Sequence, residues 1–399
     1  MGLAVLAAAL IMSAAMGIRQ SFGLLLGPLA VGEGLSITTV AFAIALHNLA
    51  WGVAQPFAGA AADRHGALPV VLFGAFAYAG GLILAALAPN TATLILGMGL
   101  LVGIGISCTS FGVVMTAVGK AAPPEARTMA MGLASAGGSF GQALVVPVVQ
   151  SVTVASGVAM ALLVLAALIV TTAPLGRLLC RKSPPSAATA SPTSSQIPLR
   201  ETLIQAGRHP GYRLLTAGFF ACGFQLAFIA TYLPGYLSLC QMPAGLGATA
   251  LMLIGLFNMI GSWGCGWLGG RYHQAPVLGW LYLIRGVVIA AFVFLPKSDV
   301  SVVAFAAIMG LTWLGTVPLT SGLIARMFGV SHLGALFGLC FLSHQLGSFL
   351  GAWAGGLVFD LTGSYAPVWI ATAAAGGVAA LLHFLIDSRR VDAPFPARA

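Results

Sequence analysis

Leu68-Pro-Val-Val-Leu-Phe-Gly-Ala-Phe-Ala-Tyr-Ala-Gly-Gly-Leu-Ile-Leu-Ala-Ala-Leu-Ala88 contains no charged or amide side chain from end to end. About 20 such residues, wound as an α-helix, cross the ~30 Å hydrocarbon layer of a bilayer. Only a helix or a closed barrel satisfies every backbone N–H and C=O there. Period-2 alternation, which a membrane barrel needs, is absent, so the stretch is a transmembrane helix. Working outward, similar runs fill nearly all of the chain, at roughly 4–30, 37–62, 68–88, 92–118, 129–152, 156–176, 212–238, 247–268, 275–296, 301–325, 333–360 and 365–386. Turn chemistry separates them, as in Asp63-Arg64-His65-Gly66, Pro89-Asn90 and Pro296-Lys297. The chain is 59% hydrophobic and 6% charged, with mean hydropathy +1.01. A soluble domain of 399 residues cannot cover its surface with so little charge. The fold class is an all-α membrane protein with 12 transmembrane helices.

Basic residues set the orientation. With the N-terminus on the cytoplasmic side, only Lys297 of the 17 Lys and Arg falls in an outer loop, and Arg19 and Arg285 fall inside spans. All the others lie on the inner side, so both termini are expected to be cytoplasmic. The net charge of +9 is therefore topological and implies no nucleic-acid partner. The six cysteines are scattered without CxxC or His/Cys spacing, which points to neither disulfides nor a metal site. No cofactor-binding loop is recognisable, because the Gly-rich runs lie inside apolar spans.

Between spans 6 and 7, Lys182 to Ser195 is rich in Ser, Pro and Ala, the composition of a linker. Leu199 to Tyr212 reads as a short surface helix. This divides the chain into a six-helix bundle over 1–178, a linker over 179–211, a second bundle over 212–388 and a tail over 389–399. A weak repeat relates the bundles at an offset of 206, placing Gly132–Gly141 on Gly338–Gly347. Parallel six-helix repeats with a solute site between them at the midplane are a transporter architecture.

On these features the chain resembles the major facilitator superfamily over its whole length. The motif Gly59-Ala-Ala-Ala-Asp63-Arg64-His65-Gly66 carries the resemblance, and it implies a charge-relay latch for the outward-facing state formed by Gly59, Asp63, Arg64 and Gly66. The repeat places Arg271 at the corresponding turn, where Gly269-Gly270-Arg271 lacks the Asp. Within the superfamily, Gly17-Ile-Arg-Gln-Ser-Phe-Gly23, Gly132 to Pro147 and Phe257-Asn-Met-Ile-Gly261 resemble the bacterial monocarboxylate-porter group. Many such carriers have an Arg just after the last of these segments, where this chain has Ser262.

Intramembrane ionisable and polar residues are costly, so each is a candidate for function. Arg19 offers a bidentate fork suited to a carboxylate; the alternative is an Arg tied to carbonyls of a neighbouring helix. Gln20 adjoins it, and the repeat places Gln225 opposite. Arg285 lies in span 9, a supporting helix in the family, and a structural role is favoured. His47-Asn48 and His344-Gln345 are near mid-depth, where a His either carries a proton or binds an anion, or donates to a backbone carbonyl. Gln142, Asn258 and Trp313 complete the candidate substrate site. Pro234 and Pro318 are expected bending points. Asp and Glu are absent from mid-span positions, and Asp360 stands near the outer end of span 11. Proton coupling, where it occurs, falls to a His, Asp63, Asp360 or the substrate. No catalytic residues are expected. The reading is a monomeric secondary transporter of the inner membrane for a small organic solute, most simply a monocarboxylate. Efflux of hydrophobic compounds is the alternative, and a non-transporting sensor or scaffold the alternative of another class.

Overall fold

A computed structural model describes residues 2–32, 34–121, 127–179, 199–243, 245–329 and 333–387. The linker read from Lys182 to Ser195 and the tail lie outside these residues. The regular elements among these residues are helices: α1 Gly2–Gly32, α2 Ile37–His65, α3 Ala67–Leu87, α4 Thr91–Leu94, α5 Val102–Thr109, α6 Phe111–Ala121, α7 Arg127–Thr172, α8 Gly176–Leu179, α9 Leu199–Arg208, α10 Pro210–Leu239, α11 Leu246–Arg271, α12 Gln274–Phe294, α13 Asp299–Thr312, α14 Thr316–Phe328, α15 Leu333–Thr362 and α16 Ala366–Phe384. Eleven helical runs among the described residues are long and apolar enough to cross a membrane.

Two of the expected spans are not single regular helices, and two others are joined in one run. Span 4 passes through a π-helical turn at Ile95–Leu101 and breaks again at Ser110. Span 10 is split between α13 and α14 by Trp313–Gly315. Pro318 lies in the first turn of α14, so its missing N–H falls where a helix lacks an acceptor anyway. Pro234, by contrast, stays within continuous α10. Spans 5 and 6 form one run, α7, of 46 residues. At 1.5 Å per residue that is about 69 Å, twice a bilayer core. The run turns at Gly157 (φ 83°, ψ 172°), nearly the geometry of Gly66 (φ 86°, ψ 164°) between α2 and α3. Only glycine takes such angles without strain.

Helix pairing follows from glycine faces. α1 packs along α7, and α10 along α15. A Cβ on Gly141 would come within 2.0 Å of the Ser13 carbonyl oxygen, and one on Gly347 within 2.0 Å of that of Phe220. The contact therefore recurs at the repeat offset. α2 packs on α15, α7 on α11 and α1 on α10, which brings helices from before residue 180 against helices from after residue 209. Without a hydrophobic drive between helices in lipid, such close backbone approach supplies the dispersion contact that holds the bundle.

Gly141→Val should lower the thermal unfolding midpoint in detergent, corresponding to a loss of about 1–3 kcal/mol from overpacking. Gly132→Ala, with open space around its Cβ, should leave that midpoint unchanged.

Candidate functional site

Arg19, His47 and Asn48 meet at one point. Arg19 reaches from α1 and donates through Nη2 to Asn48 Oδ1 at 3.0 Å. Asn48 is itself held by α2, donating from Nδ2 to the Ile44 carbonyl at 3.0 Å. The guanidinium carbon lies 5.5 Å from the centre of the Trp51 ring, within cation–π range. These residues border a cavity of about 10 Å³, whose other walls are Phe22, Gly23 and Ile44, with Ala227, Ala230 and Thr231 of α10. That is space for about one water molecule. Gly23 allows the closure, since a Cβ there would lie 2.0 Å from the Ala230 carbonyl oxygen.

Among the described residues, the cavity wall carries a cation and no acidic residue. Arg19 Nε and both ring nitrogens of His47 are buried without a hydrogen-bond partner. The Phe22 ring meets His47 edge-on at 5.5 Å. Buried polar atoms without partners are rare, because each costs about 1–3 kcal/mol. Here they cluster around a positive charge.

The remaining candidates fall elsewhere. Gln345 Nε2 donates to the Asn48 carbonyl at 3.0 Å, joining α15 to α2 behind the cavity. His344 Nδ1 lies 3.0 Å from Gln345 Oε1 and 3.5 Å from Ser348 Oγ. Gln20 is buried with both amide atoms unpartnered and does not border the cavity. Gln225, expected opposite Arg19, donates to the Thr372 carbonyl at 3.0 Å and accepts from Arg285. Asn258 uses its whole amide: Nδ2 donates to Ser139 Oγ at 2.9 Å and Gln142 Oε1 at 3.4 Å, while Oδ1 accepts from Ser262 Oγ at 3.1 Å and the Leu314 N–H at 3.0 Å. Trp313, 1% exposed, gives its carbonyl to Arg285 Nη2 at 3.1 Å. Arg285 also donates to the Thr312 carbonyl, to Cys222 Sγ at 3.3 Å and to Gln225 Oε1 at 3.3 Å. It is wholly buried and serves the carbonyls that the break after α13 leaves free. That is the structural role favoured for it.

At the α2–α3 turn, Gly66 closes the loop and Arg64 is exposed; the side chain of Asp63 lies outside those described. Gly59 has open space around its Cβ position. Arg271 stacks on Trp267 at 4.1 Å. A larger cavity, of about 300 Å³, lies at the start of α10 beside Tyr212, Arg213, Thr216 and Ser343, and holds none of the candidates. Sequence reading missed Phe22, Trp51, Ala230 and Thr231. Helical spacing locates the first two, three and four residues beyond Arg19 and His47 on the same faces.

The Major Facilitator Superfamily family description matches residues 1–320. The chain belongs to this superfamily of transporters. Among curated relatives it is 25% identical over 361 residues to an uncharacterised MFS-type transporter, YcxA, of Bacillus subtilis, covering 87% of this chain and 85% of that one. It is 28% identical over 374 residues to monocarboxylate transporter 11 of Homo sapiens (88% and 75% covered), and 24% identical over 365 residues to the oxalate:formate antiporter of Oxalobacter formigenes (88% and 83%). Among solved structures it superposes on a D-xylose-proton symporter with TM-score 0.74 at 14% identity. A bacterial homolog of the human lysosomal transporter Spinster, inward-facing and occupied, gives 0.76 at 15%; both comparisons cover 98% of each chain. The fold is thus that of a multi-span secondary transporter of small solutes.

Arg285→Ala should lower the unfolding midpoint markedly, by roughly 2–4 kcal/mol, because it strands two carbonyls and the Gln225 amide in an apolar interior. Arg285→Lys should recover part of that loss. Thermal unfolding in detergent reads both.

Proposed function

We propose that the protein carries a small organic anion, most simply a monocarboxylate, across the membrane by alternating access, with Arg19 as the anion-binding group. The carrying observation is the guanidinium beside an inter-helix cavity whose wall, among the described residues, has no acid, with Arg19 Nε and both His47 ring nitrogens lacking partners. A carboxylate presents two oxygens that match a guanidinium fork and bring the missing negative charge. The His47 ring, on the same wall, offers a second contact and a place for a proton that travels with the anion. The printed names of two relatives, a monocarboxylate transporter and an oxalate:formate antiporter, point the same way.

In this reading the chain makes twelve crossings, with α7 counted as two across Gly157, and forms two six-helix halves over 1–178 and 212–388. Both termini are cytoplasmic, the membrane is the bacterial inner membrane, and the working unit is a monomer. The cavity is far smaller than a carboxylate, so the geometry corresponds to a closed site. Rocking of α10 away from α1 and α2 opens it. The α2–α3 loop, with Gly59, Asp63, Arg64 and Gly66, latches the outward-facing state. Asn258, Gln142, Trp313, His344, Gln345 and Gln225 then act on the frame around the site rather than on the solute.

Proteoliposomes supplied with labelled monocarboxylates should show saturable uptake. Arg19→Ala should reduce its kcat/KM by roughly tenfold to a hundredfold, the worth of one charge-assisted pair. Arg19→Lys should retain a larger share. Uptake of neutral amphipathic compounds alone, unchanged in Arg19→Ala, would instead establish efflux of hydrophobic compounds as the function.

A further inference from the structure

The seam between α2 and α15 ends on a charge. Asp360, in the last turn of α15, accepts the backbone N–H of Thr38 through Oδ2 at 2.9 Å. Thr38 is the second residue of α2, and the first N–H groups of a helix have no acceptor within it. They also carry the positive end of the helix dipole. α2 satisfies two of these groups differently. Its own N-cap, Ser36, accepts the Thr39 N–H at 3.1 Å. The Thr38 N–H goes instead to a carboxylate from the other end of the chain.

The helices are dovetailed just behind this contact. One turn before Asp360, a Cβ on Gly356 would come within 2.7 Å of Ala41 Cβ and 3.1 Å of Thr38 Cα. Next, the Phe42 ring packs edge-on against Phe349 at 6.0 Å and Trp353 at 6.3 Å. The equivalent seam by the repeat, α7 against α11, has Val154 at the position of Asp360. There α11 starts at Gly245 (φ 93°), which gives no side-chain cap. The charged fastening therefore belongs to one seam and one end of the molecule, away from the Arg64 turn.

We infer that Asp360 is a bolt: it holds the α2–α15 seam closed at this end by capping α2, and it is withdrawn when the halves rock the other way. Asp360 is exposed, so the contact is modest and reversible, as a part of the transport cycle requires. The inference rests on the alternating-access reading, yet it concerns seam opening and not the solute.

The test therefore needs no substrate. Ala41, fully buried beneath the bolt, is changed to Cys in the full-length protein in detergent. Its modification by a bulky charged maleimide is timed by peptide mass spectrometry. Asp360→Ala should speed labelling about two- to fivefold, the range for a charge at an exposed helix terminus. Asp360→Asn, which keeps an acceptor, should have a smaller effect, and Asp360→Lys a larger one. Thr38→Pro removes the donor from the other partner at a first-turn position that accepts proline. It should also speed labelling, and its effect should not add to that of Asp360→Ala. Gel filtration confirms that each variant remains folded. Labelling at the parental rate in Asp360→Ala and Asp360→Lys, or full additivity of the pair, would overturn the bolt. Loss of carboxylate uptake would not bear on it, and a failed transport screen would leave it standing.

Discussion

The absence of water from the bilayer core governs how this chain is built. In that layer a helix is its own solvent, and any interruption must be served by side chains that the bundle supplies. The break at Trp313–Gly315 shows the consequence. It frees the Thr312 and Trp313 carbonyls and the Leu314 N–H at membrane depth. Arg285 donates to the two carbonyls, and Asn258 accepts from the N–H. The α13 C-terminus is also the negative end of a helix dipole, so a cation is the fitting cap. Two costly polar side chains are thereby accounted for by one backbone defect.

Arg19 occupies a different situation. No helix break draws on it, and its side-chain bond goes to one neutral amide. A partly buried cation without an opposing charge is costly, and only the Asn48 bond and the Trp51 ring offset it. The same residue type thus meets two surroundings: carbonyls freed by a helix break around Arg285, and a small closed cavity beside the unpartnered His47 ring at Arg19.

The spans were legible in the sequence because hydropathy depends only on what faces lipid or core over about 20 residues. The same averaging hides the interruptions. Ser110 and Trp313–Gly315 change the backbone without changing composition, and the Gly157 turn lies in an apolar run. Gly141 and Gly347, paired by the repeat offset, both make close backbone contacts, since close packing fixes both position and direction on a helix. The offset placed Gln225 opposite Arg19 with less success. Offset gives depth along the axis, but the direction of a long side chain is decided by partners, and Gln225 turns toward Arg285 and Thr372. Asn258 was visible as polar and costly, yet its fourfold engagement depends on a helix break that no sequence window reveals.

Asn48 links the candidate site to the seam. Its side chain accepts from Arg19, while its carbonyl accepts from Gln345 across the α2–α15 contact. In the proposed function, a solute anion at Arg19 competes with Asn48 Oδ1 for the guanidinium's donors. The released amide then stands one peptide unit from the hydrogen bond that joins α15 to α2. Neither group is held by anything stronger than neutral or singly charged hydrogen bonds, each worth about 0.5–3 kcal/mol. On that proposal, the anion biases the seam by as much as it binds one arrangement of α2 and α15 better than the other.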